Sequence, residues 1–455
     1  MQRTSLLVTV AALALAGGCG DFNITDPNNP SELGPNPSRS AVGAAVAGIL
    51  IAARSDAADW NLDAGIIGRE AYRFDGSDPR FISELLQGPL DPGGGAFGGD
   101  HWSEHYAAIR STNSLLNVIG TATALTAPEQ SATSGLAETM QAYSFLMVLM
   151  SHTEDSIPVA VNQPVTAPPA PFVTNDSAYR FVSALLDSAD AHLAAGGASF
   201  PFSLPSGFTG FTTPATFRQF NRALKARVEV YRGSLGCGAT CYTAALTALT
   251  ASFIDTSGAA TLNNGVFFNY STNPGDAVNP LFQNPLTGEN FVHPSLRDSV
   301  ETKVGGGNDD RYTAKVVART LTSAGIPPLS SDLGWIRYNT ASTPVSIIRN
   351  EELILLRAEA NNATTNPVGA ANDVNYIRVK SGGLAAIGGL SGQTTAQILD
   401  EILRQRKYSL LYEGHRWVDM RRTGRLGRIL IDRPGVDQVF SSLPVPLSEV
   451  QARQP

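Results

Sequence analysis

The stretch 398–424, ILDEILRQRKYSLLYEGHRWVDMRRTG, constrains the fold of this chain more than any other. Ile398, Ile402, Leu410 and Leu411 recur at helical spacing, neither Pro nor Gly interrupts them, and Gly414 is a helix stop, so the spacing predicts a helix that ends in EGHRWVDMRR. Arg404, Arg406, Arg416, Arg421 and Arg422 crowd there with Tyr412 and Trp417, against Glu401, Glu413 and Asp419. Such a cluster holds together only if its guanidinium groups find carboxylates or backbone carbonyls. Three readings compete: a nucleic-acid patch, a catalytic site, or an ion-pair network that docks a helix end. A nucleic-acid footprint wants a basic domain, whereas the net charge is -7. The structural network is the reading adopted.

The chain of 455 residues has ample length for a large core, and 43 Gly and 28 Pro imply many loops. At the N-terminus Arg3, an apolar run over 6–16 and Ala16-Gly17-Gly18-Cys19 have the form of an export signal. The run is too short to span a bilayer. It resembles a bacterial lipoprotein signal cleaved before Cys19, with Ala16 where such signals prefer Leu. Residues 1–18 are then signal peptide, Cys19 carries acyl chains such as palmitate that anchor the protein to a membrane, and the Pro- and Asn-rich 19–38 is a tether. Cys237 and Cys241 remain, spaced C-x3-C around small residues. A local disulfide is one reading and two reduced, buried cysteines the other; two thiolates without a nearby His do not complete a zinc site.

Helical patterns cover 39–54, 101–119, 135–151, 176–195, 216–232, 242–253, 347–361 and 370–380. Residues 55–99 read as an ordered loop region with one short helix, and 256–344 as a loop-rich insertion with strand-like runs at 266–270, 314–320 and 335–338. Helix pairs before and after an insertion suggest stacked hairpins of the tetratricopeptide kind, without a strict period.

The order of motifs resembles the SusD/RagB family of nutrient-binding outer-membrane lipoproteins. Glu413, Gly414, Arg416, Trp417, Asp419, Arg422 and Gly424 match its C-terminal E-G-x-R-W-x-D-x-x-R-x-G run, although Gln405 and Ser409 stand where the family usually has Glu. Trp102, Tyr106, Ile109 and Asn113 match its W-x-x-x-Y-x-x-I-x-x-x-N helix; 138–159, 224–231, Asp310-Arg311-Tyr312, 351–360 with Ala358, Glu359 and Ala360, and 443–450 match further motifs in order. The resemblance implies a mainly α fold, a single domain over 39–455 in which tetratricopeptide-like helical hairpins (about 39–255 and 345–424) form a scaffold and the loops (about 55–99 and 256–344) form a capping subdomain. It further implies a protein facing the cell exterior that sits as a hinged lid over a SusC-like TonB-dependent transporter, captures an oligosaccharide or similar nutrient, and hands it on for import.

An enzyme is the sharpest rival. His101, Glu104 and His105 form H-x-x-E-H, in which two His one turn apart bind zinc and Glu activates water, but no third ligand is marked, Glu138 and Glu154 included. There is no nucleophile elbow, Walker loop or Rossmann fingerprint, and no cofactor is expected. Binding needs only aromatic faces and polar groups that reach hydroxyls. Those types concentrate at Trp60, Tyr72, Arg73, Phe74 and Asp75, then Tyr270, and then Trp335 and Tyr338, the candidate ligand contacts. A structural helical-repeat lipoprotein of an envelope assembly is the alternative function.

Overall fold

The computed structural model describes residues 33–93, 97–153, 156–164 and 166–454; Cys19, the signal and most of the tether lie outside them, as does Glu154. The helices are α1 (Arg39–Ser55), α2 (Ala57–Ile67), α3 (Phe97–Ile119), α4 (Ala127–Ser151), α5 (Asn175–Ala194), α6 (Pro214–Arg232), α7 (Ala239–Thr250), α8 (Asn350–Ala363), α9 (Pro367–Lys380), α10 (Thr395–Ser409) and α11 (Arg416–Arg422), with shorter turns between them. The fold is mainly α. α1 packs on α3, and from α3 to α9 each helix packs on the next; α10 closes the series against α8 and α9.

Local chemistry explains most helix starts. Ser38, Thr126, Thr174, Thr213, Asn366 and Thr394 each accept a hydrogen bond from a backbone N–H of the first turn, and Thr126 with Glu129 and Thr394 with Gln397 complete reciprocal capping boxes. The cap at Thr126 sets the start of α4 two turns before the apolar run that begins near 135. The helix α2 has no stripe at all: ten of its eleven residues are buried, and a helix buried all round shows no amphipathic period.

After α4 the short strands β2 (Ile157–Pro158) and β3 (Phe172–Val173) pair antiparallel. The insertion interrupts the stack between α7 and α8, which pack on each other. At its neck β4 (Gly265–Phe268) pairs antiparallel with β8 (Val345–Arg349), so the expected helical start at 347 is strand, and α8 begins at Asn350. Within the insertion β5 (Asn290–Val292), β6 (Val316–Ala324) and β7 (Leu329–Trp335) form a sheet with β1 (Ala71–Arg73), in the order β1-β5-β7-β6. The register sets Tyr72 opposite Phe291. One sheet therefore joins the two loop-rich segments.

The C-terminal stretch is two helices rather than one. α10 stops at Ser409, Tyr412 and Gly414 take positive φ of 62° and 75°, and α11 starts at Arg416. A Cβ on Gly414 would lie 2.3 Å from the Trp60 indole nitrogen, so only Gly fits this corner. Most of the arginines find the partners the pattern demands. Arg406 Nε lies 2.6 Å from Asp419, Arg422 bridges Asp419 (2.8 Å) and Glu359 (2.6 Å), and Arg421 donates to the carbonyls of Ser441 and Met150. Upstream, Arg349 holds Glu413 and Glu351, while Arg227 holds Glu352 at two points, 2.7 and 2.6 Å. Glu351, Glu352 and Glu359 all come from α8, so the network ties the last helices to the middle of the stack. At the departures from the motif, Gln405 and Ser409 accept from Arg311, whose charge is met by Asp309 at 2.5 Å.

Candidate functional site

Beyond β1 the chain turns sharply on Asp75, whose carboxylate accepts from the Ser77 and Asp78 backbone N–H groups, the Ser77 hydroxyl and Arg73. These bonds, with that of Ser77 first, hold its carboxyl well below the usual range. The turn presents Phe81, whose ring lies 5.0 Å from that of Phe97, edge to face; Arg73 sits 4.6 Å over Phe81 and Arg80 5.4 Å over Phe97. Asp78 takes the other side of Arg80 at 2.8 Å.

Phe81 and Phe97, with Asp78 and Arg80, wall an open cavity of about 200 Å3 whose remaining lining is Asp59 and Asp63 of α2 and Asp100 and His101 of α3. Burial, then the like charges of Asp63 and Asp56, push the Asp59 carboxyl up to about 6. His101 is buried, which favours the neutral ring, yet Asp56 (2.6 Å) and Asp63 (3.1 Å) outweigh burial and raise it well above its ordinary value. The cavity thus offers two ring edges, several carboxylates and one guanidinium, a set suited to a ligand with hydroxyls and an apolar ring face and hostile to an anion.

A larger groove, about 560 Å3, adjoins it at Asp100 and runs between Trp102, Tyr106 and Arg110 on α3, the Pro-rich segment around Pro164 and Pro168, and Glu449 and Arg453. The Tyr106 hydroxyl donates to the Pro158 carbonyl at 2.7 Å, which fixes the groove wall to the helix.

The H-x-x-E-H residues are committed elsewhere. Both ring nitrogens of His101 are held by carboxylates, His105 Nε2 lies 3.0 Å from Asp56, and Glu104 accepts from the Ser55 hydroxyl. Among the described residues no group of three or more His, Cys, Asp and Glu could hold a metal.

Six of the aromatics picked out as ligand contacts are core. Trp60 packs on Trp417, Tyr72 stacks on Phe74 and meets His293, Phe74 lies against Phe291, Tyr270 sits under Arg54, Trp335 stacks on Tyr412 at 4.2 Å, and the Tyr338 hydroxyl donates to the Tyr412 carbonyl. All six are at most 9 % exposed, because loops without helical hydrogen bonding are anchored by large rings. Arg73 and Asp75 do stand beside the cavity, through Phe81. Phe81, Phe97 and the α2 carboxylates are not among the candidate contacts the sequence suggests; the run of Arg, Phe and Asp over 73–81 is the signal that points to them. A disulfide joins Cys237, in the corner before α7, to Cys241 in the first turn of α7, with Cα atoms 5.8 Å apart.

Comparison with known proteins places this geometry in context. Residues 296–438 match the SusD family. No curated protein matches. Solved structures similar to the chain include a SusD superfamily protein from Bacteroides fragilis (TM-score 0.70, 14% identity, covering 91% of this chain and 98% of that one) and one from Parabacteroides distasonis (0.68, 16%, 90% and 97%). A third is surface glycan-binding protein A from Bacteroides thetaiotaomicron, in complex with laminarihexaose (0.66, 14%, 91% and 97%).

Proposed function

We propose that the chain is a SusD-type, non-catalytic surface protein that captures a glycan and delivers it to a SusC-like TonB-dependent transporter; the SusD family match over residues 296–438 and the fold shared with SusD superfamily structures support the reading. The observation that carries the reading is the cavity beside β1, where Phe81 and Phe97 can cover a sugar ring while Asp78, Asp100 and Arg80 reach its hydroxyls. The fold shared with the laminarihexaose complex supports it. Four aspartates against Arg80 and His101 in the lining favour a neutral or cationic sugar over an acidic one. The adjoining groove along Trp102 and Tyr106 gives an oligomer room to extend past the first residue.

Placement completes the reading: residues 1–18 direct export, Cys19 is acylated, and 19–38 tethers a domain spanning 39–455 to the outer membrane, facing outward. Isothermal titration of the protein from residue 39 onward against neutral glucans, amino sugars and uronic-acid oligomers tests the ligand. Saturable binding of a neutral or cationic glycan, weakened about tenfold in Phe97→Ala, supports it; binding of none, or of acidic glycans alone, removes it. Purification of the tagged full chain from detergent-treated membranes tests the partner, and recovery of envelope-assembly proteins without a large β-barrel receptor would favour the structural alternative.

A further inference from the structure

The buried arginines of the C-terminal network each meet a carboxylate, with Arg378 on Glu301 and Glu401 as a further case. One place breaks the pattern. Between α10, α11 and the short turn Leu426–Arg428 lies an open pocket of about 190 Å3. Arg404 and Lys407 reach it from α10, Arg416 from α11, and Arg425 and Arg428 from the turn; the carboxylate in its wall is Asp400. Residues 400, 403, 404 and 407 recur at helical spacing, so one face of α10 supplies the floor.

The charges do not balance. Asp400 is already shared by Arg425 (2.5 Å) and Arg428 (2.8 Å), and Arg404 leans on Glu301 and Glu401 at 3.4 and 3.9 Å. Arg416 donates through Nε to the Gly68 carbonyl at 3.2 Å and forms no ion pair among the described residues. Lys407 donates to the Ser299 hydroxyl at 2.7 Å, lies over the Tyr408 ring, and likewise has no carboxylate within ion-pair distance. Glu70 is the nearby carboxyl that favours both charges; burial pushes it up to about 8, which weakens it as a counter-charge, and it forms no ion pair with either side chain among the described residues.

We propose that this pocket binds a tetrahedral oxyanion, a phosphate or sulfate group, seated against Arg416 and Lys407. Two cationic side chains without an ion-pair partner favour an anion, and donors converging from two helices and a turn suit a tetrahedral ion better than a planar carboxylate. Arg425 and Arg428 supply further donors at the rim. The site is built from other elements than the glycan cavity, whose acidic lining would reject the same ion. It stands independently of the glycan reading.

Calorimetric titration of the full chain in neutral detergent with sodium sulfate in low-salt buffer tests it. Sulfate carries a fixed charge near neutrality, so any pH effect belongs to the protein. One saturable site is expected, with affinity reduced about tenfold in Lys407→Gln and again in Arg428→Gln. Affinity falls as pH rises through about 7, where Lys407 loses its proton: burial, Arg416 and Arg404 lower it against the pull of Glu70 and Asp298. Sulfate also stabilises proteins generally, so the thermal midpoint is compared: a larger rise in the parent chain than in the variants supports the site, and an equal rise overturns it. Absence of saturable binding overturns it too. A sulfated monosaccharide and phosphatidic-acid vesicles then distinguish a soluble from a lipid-borne source; binding of either, or of the free ion alone, is consistent with the pocket.

Discussion

Arg422 and Glu359 face each other across α11 and α8 in a two-point ion pair, 2.6 and 2.8 Å, with both side chains almost wholly withdrawn from solvent. Asp419 takes the remaining side of the guanidinium, so the pair is a joint between the end of the chain and the middle of the helical stack. Removing one partner strands a buried charge. Arg422→Ala is therefore expected to destabilise the fold by about 3–5 kcal/mol in urea unfolding, whereas the paired Arg422→Met and Glu359→Leu change recovers a large part of the loss. Equal losses for the single and the paired changes would mean that the contact acts by shape rather than by charge.

The glycan cavity gives a cleaner separation of binding from stability. Phe97→Ala removes one of two ring walls and is expected to weaken glycan affinity by about tenfold. Trp335→Ala removes a core ring stacked on Tyr412, so it is expected to cost about 3–5 kcal/mol of stability and to affect binding only through unfolding. Parallel melting curves and titrations check both. A variant at Trp335 that stayed stable and lost affinity would return that ring to the ligand site.

His101 is expected to be an imidazolium in the folded protein at pH values where a free histidine is neutral. Its folded value is raised above 6.5, so the stability it contributes is complete below 6.5 and is lost as pH rises through the folded value. Asp56 shifts the other way: burial raises it, but the charge and hydrogen bonds of His101 and His105 hold it below 3.8, and that contribution is lost only in acid. The thermal midpoint should therefore fall on the alkaline side in the parent chain and lose that dependence in His101→Gln. Nitrogen-15 NMR of the ring, showing both nitrogens protonated above pH 6.5, checks the state directly.

The disulfide closes a loop of sequence separation 4, so loop-closure entropy limits its worth. Cys237→Ser with Cys241→Ser is expected to cost no more than about 2 kcal/mol and to leave both ligand affinities unchanged. Guanidinium unfolding of oxidised and doubly substituted protein measures the difference.

The helices with one buried face were legible because a stripe at 3.6-residue period is a one-dimensional trace of burial: Val42, Val46, Ile49 and Ala53 announce α1 without help. The start of α4 was legible in principle, since Thr126 and Glu129 spell a capping box, but the apolar run drew the boundary inward. α2 gives no periodic signal, being buried on every side. The break before α11 depends on Tyr412 at positive φ, a conformation that nothing in a tyrosine's own preference foretells. The arginine cluster announces that carboxylates are needed, yet Glu359, which Arg422 uses, lies 63 residues upstream on α8, where sequence proximity is silent. The cavity was harder still. Its two rings come from segments on either side of a Gly- and Pro-rich run, and the aromatics that stood out were the large ones, which the core had claimed.

The insertion between α7 and α8 also has a bearing on synthesis. Arg227 on α6 is made 125 residues before Glu352, its counter-ion, and α7 is made before the helix that covers it. A chain emerging from its N-terminus must therefore carry an open helical edge and a solitary buried cation until the whole cap has followed. The stack cannot be finished in the order in which it is written, and a chain stopped before Asn350 is expected to be a target for chaperones and proteases, seen as rapid cleavage in limited proteolysis, rather than a shorter version of the same protein.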